Sequence, residues 1–362
     1  MSPLDADPKA APHRRVHVKP DGRHLFVYGR APQTGDVIAD IEPVPKPEPH
    51  SRWHPLRREW VTYAPARQTR TFKPPAEYCP LCPTRPGGTP TEIPFADYEV
   101  AVFENRFPAF HADAPAAPTG LPVATAAAHG ACEVVCYTAA HQGSLAGLTQ
   151  DRRELLVAAW TDRYEALRAR DDVAFVLPFE NRGEEVGVTL HHPHGQIYAF
   201  PWVPPVQRQA VESFREGPAL ARLLEAMGGA YTVAETDTMV AFVPPFARFP
   251  YEVWIAPRRP VPGPWAFEGA EARDFARLLG VVVARYDALF DRPFPYLLSL
   301  HAAPRGEDAT FHFHAEFYPP LRTADRLKYL AGVEQASGAF LVDALPEDTA
   351  ARLRALDAEP AA

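Results

Sequence analysis

Cysteine is scarce in this 362-residue chain: it has four, too few for the disulfide framework of a small secreted fold. No apolar run approaches the ~20 residues that cross a bilayer, and Met1–Lys19 lacks the apolar segment of a signal peptide. A cytoplasmic protein that binds no membrane is expected. Positive charge is also short: 37 Lys and Arg stand against 45 Asp and Glu, a net −8. That excludes a nucleic-acid protein held by bulk charge. Proline, by contrast, is abundant. Its 42 residues make up about 12% of the chain against a usual ~5%, so loops and extended segments should be many. Hydrophobic residues at 46% and charged ones at 23% are the balance of a folded, soluble protein, and the length allows two or three domains.

The first fifty residues are polar and proline-rich, with one strand expected at His24–Arg30 and an extended arm over Ile41–His50. Short β-type runs follow at Glu59–Tyr63, Tyr98–Phe103 and Glu133–Thr138. Thr149 stands where it would cap a helix to about Ala169, with Leu155, Leu156, Ala159, Tyr164 and Leu167 near i/i+4 spacing. A buried-type strand is expected at Val173–Phe179. Helices are expected near Gln207–Met227, interrupted at Gly217-Pro218, and near Gly269–Phe290, with an amphipathic stretch from Thr323 to about Glu334. The halves also echo each other. Phe103-Glu-Asn-Arg-Phe-Pro108 matches Phe246-Ala-Arg-Phe-Pro250, Glu133-Val134 matches Glu252-Val253, and His192-Pro-His194 matches His312-Phe-His314. This points to a duplicated strand–helix–strand unit with a divergent second copy.

Cys79-Pro-Leu-Cys82 has the two-residue spacing that lets two thiolates share one ion from a tight turn. A redox pair would open a helix, and this Pro/Gly-rich setting is a poor helix start. Zinc is therefore expected here, with histidines as the further ligands; His141 and His192 are candidates. Cys132 and Cys136 lie four apart on an apolar strand and read as small buried residues. The densest histidine segment runs from Phe179 to Tyr198. A neutral imidazole can carry a phosphoryl or nucleotidyl group, splitting one displacement into two easier ones. A strand places His192 and His194 on one face, with Gly195 allowing close backbone approach, Gln196 an amide donor and Thr189 a hydroxyl.

These strings resemble the galactose-1-phosphate uridylyltransferases of the histidine triad superfamily. The resemblance rests on His54-Pro-Leu-Arg-Arg-Glu-Trp-Val61, Cys79-Pro-Leu-Cys82, Phe103-Glu-Asn-Arg-Phe-Pro108, Phe179-Glu-Asn-Arg-Gly183, His192-Pro-His-Gly-Gln196 and Phe317-Tyr-Pro-Pro320. It implies an α+β fold of two histidine-triad-like halves, each an antiparallel sheet with helices packed on it. The expected divisions are a proline-rich arm over 1–56, an N-terminal half over 57–203, a C-terminal half over 204–346 and a tail over 347–362. By the same resemblance His194 is the nucleophile that takes UMP from UDP-glucose and passes it to galactose 1-phosphate. Gln196, Thr189, Asn181 and Gly187 line the phosphates, Arg67 and Arg70 are a basic pair beside them, and Leu81, Phe103 and Asn105 form the nucleoside pocket. Cys79, Cys82, His141 and His192 hold one structural zinc. Lys328 and Glu334 match a sugar-binding tail that reaches a neighbouring subunit, so a homodimer is implied. Of the family's second metal site, His301 and His314 match, Glu316 replaces a histidine, and Ala210 stands at the glutamate position, so no second metal is expected. Arg106 replaces the usual aspartate after Asn105. The alternatives are a related phosphorylase or adenylyltransferase acting on an ADP-sugar or dinucleoside polyphosphate, and a zinc-stabilised nucleotide-binding protein without catalysis.

Overall fold

The computed structural model describes residues 12–69 and 73–362. Its first half runs through β1 (His13–Val18), β2 (His24–Gly29), β3 (His50–His54), β4 (Glu59–Tyr63), β5 (Val100–Glu104), β6 (Thr125–Ala127) and β7 (Ala131–Cys136). Helix α1 (Gln150–Arg168) then leads to β8 (Phe175–Arg182) and β9 (His194–Phe200). The second half opens with α2 (Pro205–Glu216) and α3 (Ala219–Met227). It continues through β10 (Thr232–Glu235), β11 (Met239–Phe242), β12 (Val253–Pro257), α4 (Glu271–Leu289), β13 (Tyr296–His301) and β14 (His314–Tyr318). β15 (Leu321–Thr323), β16 (Arg326–Leu327), α5 (Gly332–Ser337) and α6 (Pro346–Arg354) follow.

Eleven strands form one sheet in the order β1-β2-β5-β7-β9-β8-β13-β14-β12-β11-β10. Its neighbours pair antiparallel throughout. The order is symmetric about its middle: β8-β9-β7-β5 answers β13-β14-β12-β11, and α1 and α4 occupy the same place between strands. The α+β class holds, and so does the duplication. The two half-sheets are continuous, joined where Phe179–Arg182 pairs with Tyr296–Ser299.

The ladder corrects how the repeats align. Phe103 and Gln196 both face Val134, while Phe242 and Glu316 both face Trp254. Phe242 rather than Phe246 is therefore the partner of Phe103, and Val253 rather than Glu252 that of Glu133. Glu252 is one residue out of register, which turns a strand residue to the opposite face, and Phe246 lies four residues on, past the end of β11.

Apolar alternation explains the layers. Odd-numbered residues of β9 are buried beneath the helices, while His194, Gln196 and Tyr198 are partly exposed on the other face. Leu155, Leu156 and Trp160 of α1 and Phe275, Leu279 and Val282 of α4 share one core with Val135, Ile197, Ile255 and Ala315. On the far face, the loop bearing Cys79, Leu81, Ile93, Phe95 and Tyr98 covers the first half. Helices α2 and α3, through Val211, Phe214 and Leu220, cover the second.

Other expectations are corrected locally. The N-terminal segment carries a second strand, β1, paired along its length with β2. The stretch from Thr323 forms a β15–β16 hairpin before a helix that begins only at Gly332. The Thr323 hydroxyl donates to the Asp325 carboxylate at 2.7 Å, the kind of local bond that favours a turn over a helix. Thr149 does stand at the N-cap of α1, though its side chain makes no capping bond. Among the described residues no helix is long and apolar enough to cross a membrane.

Candidate active site

Pairing of β9 with β7 (Cys136 to His194, Val134 to Gln196) and with β8 (Phe179 to Gln196) fixes the His-Pro-His-Gly-Gln segment in the middle of the first half-sheet. His194 and Gln196 face a cavity of about 480 Å³ whose wall also includes Arg67, Leu81, Phe103, Asn105 and Thr189. Seven residues singled out from the sequence thus converge on one space.

The nucleophile candidate is oriented by its own strand. His194 Nδ1 lies 2.7 Å from the carbonyl oxygen of His192. A carbonyl can only accept, so Nδ1 carries the proton and Nε2 keeps its lone pair. Burial holds the imidazole below the usual histidine pKa, so it is neutral, and nucleophilic, at neutral pH. Gly195 has a different task from the one its motif suggests. An added Cβ would lie 2.3 Å from the Tyr137 hydroxyl and 2.8 Å from the Phe179 carbonyl. The close approach comes from protein on the helix side, since Gly195 points away from the cavity.

The ligand-type atoms of Cys79, Cys82, His141 and His192 all lie within 4.8 Å of one another. Cys82 Sγ is 3.4 Å from His141 Nδ1 and 3.5 Å from His192 Nδ1. A tetrahedral ion with bonds of about 2.0–2.3 Å needs edges of about 3.5 Å, so the set fits a metal ion. Burial, then neighbouring Cys79, push the Cys82 thiol up to about 12, and a divalent cation would hold it as thiolate. His192 is already turned for the task. Its Nε2 donates to the Thr138 carbonyl at 2.7 Å and meets the Tyr98 hydroxyl at 2.9 Å, leaving Nδ1 for the ion. Tyr98 in turn donates to the Leu81 carbonyl at 3.0 Å, which ties the metal loop to the cavity wall.

The remaining sequence-derived residues are less concentrated. Asn181 lies on the site face of β8, two residues past Phe179. Gly187, at φ +79°, closes the turn Glu184–Val186. Neither lines the cavity. Arg70 lies outside the described residues. Lys328 and Glu334 pair with each other at 3.4 Å, and Lys328 also donates to the Leu341 carbonyl; neither lines this cavity. Arg67 donates to the Tyr198 hydroxyl at 2.6 Å. Asn105 accepts from the Phe107 amide at 2.8 Å, which shapes its loop. No pattern in the chain pointed to Ile41, Tyr78 or Glu92, which also line the wall; Ile41 and Glu92 arrive from loops, and Tyr78 stands directly before Cys79.

A second group, His301, His314 and Glu316, is buried in the other half with its ligand-type atoms within 4.8 Å of one another. His314 Nε2 lies 3.0 Å and His301 Nε2 3.8 Å from Glu316 Oε1. Replacement of a histidine by Glu316 therefore leaves three converging donors. Ala210 packs among the apolar side chains of the α2–α3 layer and supplies none.

Comparison with known proteins agrees with this geometry. The family model for the N-terminal domain of galactose-1-phosphate uridyl transferase matches residues 40–204, and that for the C-terminal domain matches residues 220–360. This chain belongs to the galactose-1-phosphate uridylyltransferase family. A member from Thermotoga maritima is 41% identical over 322 residues, covering 85% of this chain and 98% of its own. One from Streptomyces lividans is 34% identical over 327 residues, covering 84% and 87%. A solved uridylyltransferase superposes with a TM-score of 0.75 at 28% identity, covering 84% of this chain and 97% of its own. An ADP-glucose phosphorylase from Arabidopsis thaliana with bound ADP-glucose shares the fold, with a TM-score of 0.67 at 23% identity and coverage of 86% and 99%. Within the family frame, the metal-type cluster and His194 both fall in the N-terminal match.

Proposed function

We propose that this enzyme moves UMP between hexose 1-phosphates by two displacements at His194. In the first, Nε2 attacks the phosphorus of UDP-glucose that carries the uridine. The P–N bond forms, the P–O bond to glucose 1-phosphate breaks, and glucose 1-phosphate leaves. In the second, a phosphate oxygen of galactose 1-phosphate attacks the same phosphorus, the P–N bond breaks, and UDP-galactose leaves with His194 restored. The observation that carries this reading is the 2.7 Å bond from His194 Nδ1 to the His192 carbonyl, which leaves Nε2 as the basic nitrogen beside the cavity.

Gln196 and Thr189 supply donors to the phosphoryl oxygens, where charge builds in the transition state. Arg67, with Arg70, balances the phosphates, and Asn181 and Gly187 shape the chain around them. Leu81 and Phe103 hold the base and Asn105 the ribose. Cys79, Cys82, His141 and His192 hold one structural zinc, which anchors the backbone carrying the carbonyl that orients His194. No second metal is assigned, because Ala210 brings no fourth donor to His301, His314 and Glu316. Lys328 and Glu334 act on the sugar phosphate in the site of a second copy, so the enzyme works as a cytoplasmic homodimer.

The test is covalent. The protein is incubated with UDP-glucose without acceptor, quenched in base to preserve the phosphoramidate, and mapped by mass spectrometry. A uridylyl group on His194 that galactose 1-phosphate discharges is expected. An adenylyl group formed from ADP-glucose and discharged by phosphate would replace this reading with the phosphorylase one. No adduct from either donor would overturn catalysis at His194.

A further inference from the structure

The match to the N-terminal family domain begins at residue 40, and chain ahead of that point packs behind the cavity wall, against Glu92 and Phe103. β1 and β2 pair from His13–Gly29 to Val18–His24, and β2 adds to the sheet beside β5, with Leu25 opposite Phe103. The connection is Lys19-Pro-Asp-Gly-Arg23, the residue order of a tight turn. The Lys19 amide donates to the Arg23 carbonyl at 2.9 Å, and Gly22 adopts φ +83°.

This turn sends a cation where cations rarely go. Lys19 is 2% exposed, and its ammonium lies 4.3 Å from the centroid of the Phe103 ring. It is neutralised by Glu92, itself 4% exposed, which also accepts from Arg23 Nη1 at 2.9 Å. Glu92 and Phe103 both line the cavity. An ammonium over an aromatic face fixes the ring and is costly to bury without such partners.

Past the hairpin the chain returns along the same wall. His17 Nε2 contacts the Asp40 carboxylate at 2.7 Å, the Ile38 amide donates to the Pro94 carbonyl at 2.8 Å, and Arg106 donates to the Glu42 carbonyl at 3.3 Å. Between these anchors Ile41 reaches the cavity. The extended arm is thus pinned on both sides of the one residue it contributes.

We infer that residues 13–49 form a wall of the nucleoside end of the cavity and set the enzyme's affinity for its nucleotide donor. Ile41 adds an apolar side chain to the lining it shares with Leu81 and Phe103, and the Lys19–Glu92–Arg23 cluster locks the Phe103 ring against which a base would stack. This rests on the uridylyl-transfer reading and assigns a specificity-determining role to a segment which that reading does not use.

The two half-reactions separate this role from a merely structural one. The donor must bind its nucleoside from solution, whereas the acceptor meets a nucleotide already attached to His194. Ile41→Ala and Lys19→Met are each expected to lower kcat/KM for UDP-glucose about tenfold, the scale of a lost contact in a shaped pocket. They should leave kcat/KM for galactose 1-phosphate within about threefold. UMP binding by calorimetry should weaken in parallel. Ile41 is only partly buried, so Ile41→Ala tests the idea even if Lys19→Met does not fold. Unchanged UMP binding, or equal loss in both half-reactions, overturns the wall. Wild-type protein that binds no UMP and forms no uridylyl adduct overturns the donor assignment instead, and the same variants are then compared with AMP and ADP-glucose, where equal binding again overturns the wall.

Discussion

The two His-x-His segments of this molecule, each leading into a strand at its second histidine, are one design used twice with opposite results. In both, the second histidine donates Nδ1 to the carbonyl two residues back, at 2.7 Å for His194 and 2.9 Å for His314. In both, the first histidine gives Nε2 to a backbone carbonyl, that of Thr138 for His192 and of Pro257 for His312. Beyond the backbone they part. His192 Nδ1 meets Cys82, whereas His312 Nδ1 is buried with no partner among the described residues. His194 faces a cavity, whereas His314 is 4% exposed, stacked on Trp254 with ring centroids 5.0 Å apart and shut in by Phe214. Orientation of the imidazole is therefore a property of the fold. Access to the cavity and a neighbour that faces the cysteine turn distinguish the His194 copy.

The largest expected effect tests that distinction directly. His194→Ala should lower turnover about 10⁴-fold or more, as loss of a covalent nucleophile does. His314→Ala should leave kcat within about threefold and cost about 1–3 kcal/mol of stability. A His314→Ala enzyme that forms no adduct would erase the contrast. Next, Phe214→Ala should destabilise by about 3–5 kcal/mol in a denaturant titration, since it hollows the α2–α3 layer. It should still give a nucleotidyl adduct on His194 alone; an adduct on His314 would mean that access is the whole difference.

The seam between the halves supplies a third test. Buried Glu180 accepts from Tyr137 of the first half at 3.4 Å and Tyr296 of the second at 3.2 Å, and burial pushes its carboxyl up from 4.5 to about 7. The folded state therefore holds this proton more tightly than the unfolded chain. Its stabilising contribution is full below pH 4.5 and is lost as pH rises towards 7. Glu180→Gln, which never ionises, should be more stable than wild type at pH 8 by about 3 kcal/mol, with the gain vanishing below about pH 4. Melts across that range check the sign. The smallest effect is expected at the metal loop: Cys82→Ser should lose bound zinc and lower turnover about 10–100-fold through misplaced His192. Metal analysis that finds zinc retained, or full activity in the zinc-free variant, would detach the metal from the nucleophile.

Much of this was legible in the sequence wherever function or periodicity concentrates residues. Long helices α1 and α4, the break between α2 and α3 at Gly217-Pro218 and the cysteine turn stand where their patterns place them. The strand expected to carry both His192 and His194 begins only at His194, and His192 stands in the bend before it, with Nδ1 towards Cys82. What was not legible depends on partners distant in the chain. The charged alternation of His13–Val18 gives a weak strand pattern, and its pairing with β2 decides it. The entry of Ile41 into the cavity depends on anchors at His17, Pro94 and Arg106. The neighbour that requires glycine at 195 is Tyr137, on the face away from the chemistry. The repeat was visible as letters, but its register became clear only through the ladder.

Continuity of the sheet across β8 and β13 has a consequence for how the chain reaches this state. The two strands pair residues more than a hundred positions apart, so the join is a late, slow event relative to pairing within either half. Until it forms, each half carries an open strand edge of the kind that captures other strands. Each half is thus the other's edge protection. Split in the segment before α2, the two pieces are expected to aggregate when expressed apart and to reassemble when made together.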